Sequence, residues 1–319
     1  MGTHYPPRDQ NEILRQLVAG QLATGEALRL MRQIGRPKAA SSVDKEAEGE
    51  SLAQILAELD TLIGLQEVKE LVREIQAFVD IQSRRQEEGL CTEPTVMHMV
   101  FMGNPGTGKT TVARIFGKMF RAMGVLPKGH LVEVERADLV GAYIGHTALK
   151  TKEQLKNAMG GILFIDEAYA LARGGEKDFG KEAIDTLVKA MEDHKNQFIL
   201  ILAGYQEEMK YFIQTNPGLR SRFPIHIEFP DYSLKELLQI AELFLHQRQY
   251  RLTPGAKAKL ERILAEAQRE RNFGNARMVR NLIEGAMRAQ ALRLVHKSQL
   301  SREELMLITA QDLVRRGVE

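Results

Sequence analysis

Apolar residues run along this chain in two rhythms, and the order of those rhythms predicts its architecture. Val96-Met97-His98-Met99-Val100-Phe101-Met102 is almost wholly apolar, as a parallel strand covered on both faces should be. Residues 162–165, 198–203 and 225–229 predict further strands, and residues 130–135 alternate apolar and polar as a strand does. Between the strands the period lengthens: Val112, Ile115, Phe116, Met119 and Phe120 recur at helical spacing. Strands alternating with amphipathic helices predict a parallel sheet between two helical layers. After Pro230 only the helical period continues, through Leu237, Ile240, Leu243 and Phe244, then Leu260, Ile263 and Leu264, then Val279, Leu282, Ile283, Met287 and Leu292. A small all-helical domain is expected there.

Upstream, Leu52, Ile55, Leu56 and Leu59 make one helix face, and Val68, Leu71, Val72, Ile75, Phe78 and Val79 make another. Residues 11–34 read as a short helical hairpin, and residues 35–50, with Pro37, paired serines and an acidic run, read as a linker that buries little. The expected domains are residues 1–50 for the helical extension and linker, 51–230 for the α/β domain and 231–319 for the helical domain.

Composition narrows the function. The 44 Lys and Arg nearly balance 42 Asp and Glu, which argues against a globally basic nucleic-acid binder or a polybasic membrane anchor. Cys91 is the only cysteine, so neither an intramolecular disulfide nor a cysteine zinc site is available. The eight histidines have no metal-binding spacing, and the thirteen methionines fall mostly at apolar core positions. With no long apolar run and a polar, proline-bearing start, the expectation is a soluble cytoplasmic protein with no membrane partner.

One motif stands between the first strand and the following helix: Gly103-Asn104-Pro105-Gly106-Thr107-Gly108-Lys109-Thr110 fits G-x-x-x-x-G-K-[ST]. Glycines keep side chains out of the way, so backbone N–H groups and the helix N-terminus can cradle phosphate oxygens. Lys109 is expected at the β and γ phosphates, and Thr110 on Mg²⁺. The nucleotide-binding run is therefore Asn104, Pro105, Gly106, Thr107, Gly108, Lys109, Thr110 and Thr111. Asp166-Glu167 ends the third strand, where side chains of an open α/β sheet project into the ligand crevice. Asp166 suits Mg²⁺, and Glu167 suits the water that attacks the γ-phosphate of ATP.

Residues 103–110 together with 162–167 resemble an AAA+ ATPase. More narrowly, Gly141-Ala142-Tyr143-Ile144-Gly145-His146-Thr147, the run 171–180, Leu202-Ala203-Gly204-Tyr205 and the run 216–224 resemble the branch that holds stage V sporulation protein K and the CbbX-type Rubisco activases. The sporulation type is the nearer match, and the likeness spans about residues 55–295.

The resemblance implies a P-loop AAA+ domain followed by a helical lid, assembled as a homo-oligomeric ring, usually a hexamer, with ATP between neighbours. By motif position Ile63 and Gly64 contact adenine, Arg277 is the lid arginine reaching the γ-phosphate, and Arg222 is the finger from the next subunit, with Arg220 competing for that role. Arg222, Arg277, Lys109 and Glu167 are thus the expected catalytic set. Tyr205 stands where many relatives have a polar sensor, and a core aromatic is the other reading. Tyr143 and Ile144 resemble a pore loop that grips a protein client, or they cap the core; residues 174–180 resemble a second central loop, or form a charged turn. The expected function is an ATP-hydrolysing motor that remodels a protein, sporulation-related, with Rubisco activation or a nucleotide-gated scaffold as alternatives. DNA-linked work is disfavoured by the charge balance and by the lack of a recognisable DNA-binding segment.

Overall fold

A computed structural model describes residues 50–92, 95–143, 145–173, 178–270 and 273–314. The expected hairpin at 11–34, almost all of the linker at 35–50, Ile144 and residues 174–177 lie outside the described residues.

Helix α1 (Leu52–Thr61) starts at a capping box, in which the Ser51 hydroxyl accepts from the Gln54 N–H at 3.3 Å while the Gln54 side chain accepts from the Ser51 N–H at 2.8 Å. It is followed by α2 (Gln66–Glu87), β1 (Met99–Gly103), α3 (Lys109–Ala122), β2 (Leu131–Val134), the short α4 (Arg136–Leu139), α5 (His146–Ala158) and β3 (Ile162–Ile165). Next come α6 (Gly180–Asp193), β4 (Ile199–Gly204), α7 (Gln206–Thr215), α8 (Pro217–Arg220) and β5 (Ile225–Phe229). The five strands form one sheet in the order β2-β3-β4-β1-β5, parallel throughout, so their carboxyl ends share an edge.

Strand period two divides the core between the sheet's faces. Met99, Phe101, Phe164, Ile201 and Phe229 join Ile55, Val68, Val112 and Phe116 in one cluster. Val100, Met102, Ile165 and Leu202 join Leu155, Ala183, Leu187 and Phe212 in the other. Phe101 lies 5.0 Å from Phe229 and 6.1 Å from Phe116, ring centre to centre. Full burial of one such side chain contributes about 1.5–3 kcal/mol. The α2 stripe is buried at Val68, Val72 and Ile75, but Phe78 is 37 % exposed, so the apolar rhythm outruns the core there.

His98, just before β1, is buried against Phe198 and Phe223, and its Nδ1 accepts from the Leu200 N–H at 3.0 Å. Burial pushes the imidazole down from 6.5 to about 4. The folded state therefore holds the neutral ring, and lowering the pH from about 6.5 towards 4 favours the unfolded chain by up to one proton. Denaturant melts across that window are expected to show a shallower acid loss for His98→Asn than for the wild type. Identical slopes would contradict this.

After β5 the chain forms α9 (Leu234–Gln247), α10 (Pro254–Ala267), α11 (Asn275–Leu294) and α12 (Arg302–Met306) around a third core that includes Leu237, Leu260, Leu264, Val279 and Ile283. The helical expectation needs one addition: β6 (Arg251–Leu252) pairs in parallel with β7 (Leu307–Ile308). Strands of two residues are too short to leave a period in the sequence. Among the described residues no helix is long and apolar enough to cross a membrane.

Candidate active site

At the shared carboxyl edge, the loop after β1 passes between the sheet and the start of α11. β4 lies between β1 and β3 in the sheet. Tyr205, which follows β4, therefore stands between the P-loop and Asp166-Glu167. The cleft so formed has a volume of about 290 Å³ and is bordered by Pro105, Gly106, Gly108, Lys109, Thr110, Thr111, Asp166, Glu167, Tyr205 and Arg277, among others. Residues scattered between Gly103 and Arg280 thus contribute to one site.

Lys109 opens α3, and its ammonium donates to the Gly103 carbonyl at 2.7 Å and the Asn104 carbonyl at 2.9 Å. Its pKa is lowered, chiefly by burial; Asp166 opposes the shift, Arg277 adds to it, and Glu167 and Asp231 oppose it. Of these charges, Asp166, Glu167 and Arg277 border the cleft itself. The Asp166 carboxylate accepts from the Glu167 N–H at 3.0 Å. Glu167 itself is exposed and left-handed, with φ 47° and ψ 43°. A non-glycine residue in that conformation is uncommon and costs about 1–3 kcal/mol, a form of strain that clusters at functional sites. Thr110 and Asp166 supply oxygen donors to the same cleft, which suits a hard cation that takes few protein ligands. Among the described residues no group of three or more His, Cys, Asp or Glu is arranged around a metal position, so a cation here would depend on these two and on phosphate oxygens.

Several expected residues lie off the cleft lining. Thr107 is fully buried, with its hydroxyl donating to the Asn104 carbonyl at 2.8 Å. The Asn104 amide donates to both oxygens of Asp231, at 2.9 and 3.0 Å. Ile63 packs against the core of the C-terminal helical domain, and Gly64, at φ +67°, has its Cβ direction filled by the Glu236 carboxylate. Lys69 fixes this turn by donating to the Leu62 carbonyl at 2.6 Å and the Asp60 carbonyl at 3.2 Å. Arg222 does not border this cleft; its guanidinium donates to the Gly218 carbonyl at 2.8 Å and pairs with Glu192. Arg220 is exposed.

Three contributors, Arg280, Asp231 and Asn275, escaped sequence reasoning. Arg280 borders the cleft three residues after Arg277, on the same face of α11, and that spacing was the available signal. Asp231 and Asn275 form a polar knot beneath the P-loop, in which the Asn275 Nδ2 donates to Asp231 Oδ1 at 2.7 Å. No local pattern announces that pairing. Gly106 explains its own requirement: at φ +74°, a Cβ would run into the Gly274 carbonyl and stand 2.8 Å from the Arg277 nitrogen.

Away from the cleft, Tyr143 is 70 % exposed on the loop between α4 and α5. Contacts tie the base of that loop together: the Gly141 N–H donates to the Thr147 hydroxyl at 2.9 Å, the His146 N–H donates to the Tyr143 carbonyl at 3.1 Å, and the His146 ring meets the Tyr143 ring edge-on at 5.5 Å. Gly145, at φ +81°, makes the turn into α5. Flanking residues 174–177, Arg173 lies 4.4 Å over the Tyr169 ring, and Asp178 accepts from Arg136 at 2.7 Å on each oxygen.

Residues 99–231 match the model of the ATPase family associated with various cellular activities (AAA), and residues 233–317 match an AAA lid domain. The chain is 54 % identical over 271 residues to stage V sporulation protein K of Bacillus subtilis, covering 84 % of each chain. It is 49 % identical to protein CbbX of Cereibacter sphaeroides over 80 % of this chain and 84 % of that one. It is also 44 % identical to the chloroplastic ribulose bisphosphate carboxylase/oxygenase activase of Cyanidioschyzon merolae, over 86 % of this chain and 95 % of that one. A solved structure of a point variant of RuvB from Thermotoga maritima superposes with a TM-score of 0.50 at 20 % identity, covering 80 % of this chain and 69 % of that one, a likeness of fold alone.

Proposed function

The chain belongs to the AAA ATPase family, and from that premise we propose that it works as a Mg²⁺- and ATP-dependent ring, a hexamer of identical subunits, that remodels a protein partner in the cytoplasm. The observation that carries the reading is the convergence of Lys109, Thr110, Asp166, Glu167 and Arg277 on one cleft, with an exposed, braced Tyr143 elsewhere on the same domain.

In this reading the P-loop N–H groups and Lys109 hold the β and γ phosphates, and Arg277 reaches the γ-phosphate from the lid. Thr110 and Asp166 hold Mg²⁺, which neutralises phosphate charge when bound. Glu167 orients a water and takes its proton as the oxygen attacks the γ-phosphorus. The bond to the β–γ bridging oxygen breaks, ADP leaves, and the charge spreading over the transferred group is met by Arg222 of a neighbouring copy. Ile63 and Gly64 hold adenine, and their contact with the lid core gives base binding a path to lid position. Closing and opening of the lid then moves the ring's loops, and Tyr143 with Ile144 pulls on the client. Tyr supplies a large, stiff grip at modest entropic cost.

A sporulation-related client follows the 54 % match, and Rubisco activation is the second reading because a relative named as a ribulose bisphosphate carboxylase/oxygenase activase matches at 44 %. Tyr143→Ala separates a remodeller from a nucleotide-gated scaffold. Basal ATP turnover is expected to persist while stimulation by a client protein disappears. Stimulation that survives the substitution would remove the threading role.

A further inference from the structure

Four consecutive P-loop residues are bonded to Asp231 and Tyr232, which lead from β5 into α9, or to the first turn of α11. Asn104 donates to Asp231, the Pro105 carbonyl is 3.4 Å from the Asn275 amide nitrogen, the Gly106 carbonyl accepts from the Ala276 N–H at 3.1 Å, and the Thr107 carbonyl accepts from the Tyr232 hydroxyl at 3.1 Å. Asn275 is the centre of the knot. It is fully buried, its φ is +46°, its Oδ1 accepts from the Tyr232 N–H at 3.0 Å, and its Nδ2 donates to Asp231. Such a network in a low-dielectric interior holds one arrangement or is broken; a half-satisfied version is costly. Arg277 lies two residues further along α11, and the missing side chain at Gly106 lets the backbones of the P-loop and of Gly274 to Arg277 touch.

We propose that Asn275 and Asp231 are positioning residues that lock the P-loop to the first turn of α11, so that the phosphate contacts of Lys109 and of Arg277 are made or lost together. The inference rests on the reading of the cleft as the ATP site. A lid arginine on an unlocked helix would have to be ordered at each binding event, and its charged hydrogen bonds would be offset by that ordering. A plain structural brace predicts something else: lower thermal stability, with the effects of Asn275 and Arg277 on ATP affinity independent.

The test is a double-mutant cycle on the full-length chain, read by calorimetric titration of ATP, with thermal melts to establish that each variant is folded. Asn275→Gly keeps the left-handed backbone and deletes the amide. Asp231→Asn keeps the shape and leaves one oxygen to accept from Asn275, but turns an amide nitrogen towards Asn104; it serves if the glycine variant does not fold. Alone, Arg277→Ala is expected to weaken ATP binding by about tenfold. In the Asn275→Gly or Asp231→Asn background the same change should cost less than about twofold. Losses that multiply, or an Asn275→Gly affinity within about twofold of wild type, would overturn the lock. Wild-type chain that does not bind ATP, or binds it equally well as Lys109→Ala, would instead overturn the ATP-site reading on which the lock depends.

Discussion

Glu167→Gln is expected to turn over ATP about 10²–10⁴-fold more slowly than the wild type while still binding it. The side chain keeps its size and loses its negative charge, so what disappears is the base that accepts a proton from the attacking water. Binding should survive because the P-loop carries it: the backbone N–H groups around Gly106 and Gly108 are untouched, and the Lys109 ammonium is hydrogen-bonded to the Gly103 and Asn104 carbonyls rather than to the exposed Glu167. The substitution also leaves Asp166 its contact, since the bond between them uses the backbone N–H of residue 167. Phosphate release and ATP titration on the same preparation separate the two effects. A variant that loses affinity but keeps its turnover number would move Glu167 from chemistry to binding.

Arg222→Ala is expected to lower turnover by about 10³–10⁵-fold, the range of a transferred arginine that meets charge in the transition state. Arg222 does not border its own subunit's cleft, so any such effect is expected through a neighbouring copy, and ATP binding by isolated subunits should not change. Glu192 now holds the guanidinium. The side chains of Arg222 and Glu192 are 24 % and 57 % exposed, and a partly solvated pair of this kind is worth about 0–1 kcal/mol. Exchanging it for phosphate is therefore cheap next to the effect expected on the rate. Arg220, exposed on the same short segment, is the rival, and Arg220→Ala should keep most of the activity. A collapse of turnover in Arg220→Ala with an active Arg222→Ala would reverse the assignment.

The sheet and the glycine-rich loop that borders the cleft were legible in the sequence for a common physical reason. A strand buried on both faces must be apolar throughout, and a loop that wraps phosphate needs backbone without side chains, so both leave contiguous signatures around residues 96–110. Asp166-Glu167 was legible because a strand end in such a sheet faces the crevice. Contacts made at long range left no signature: Asn104 and Asp231 are 127 positions apart, and each alone looks like an ordinary surface polar residue. Phe78 misled in the opposite direction, since a helix keeps its apolar period past the end of the surface it covers. The pair β6-β7 was invisible because two residues carry no period. Ile63 and Gly64 could be placed only by resemblance, and their positions beside Tyr232 and Glu236 follow from how the lid folds back, which no local pattern encodes.

The central claim is that ATP is hydrolysed at a site shared between copies of this chain. Its most direct test mixes Glu167→Gln with Arg222→Ala, each expected to be nearly inactive alone, under conditions where labelled subunits are seen to exchange, and then measures phosphate release. Recovery of activity is the predicted result, because some interfaces then pair an intact Glu167 with an intact Arg222 from the neighbour. Continued inactivity after demonstrated exchange would contradict the claim that Arg222 completes its neighbour's site.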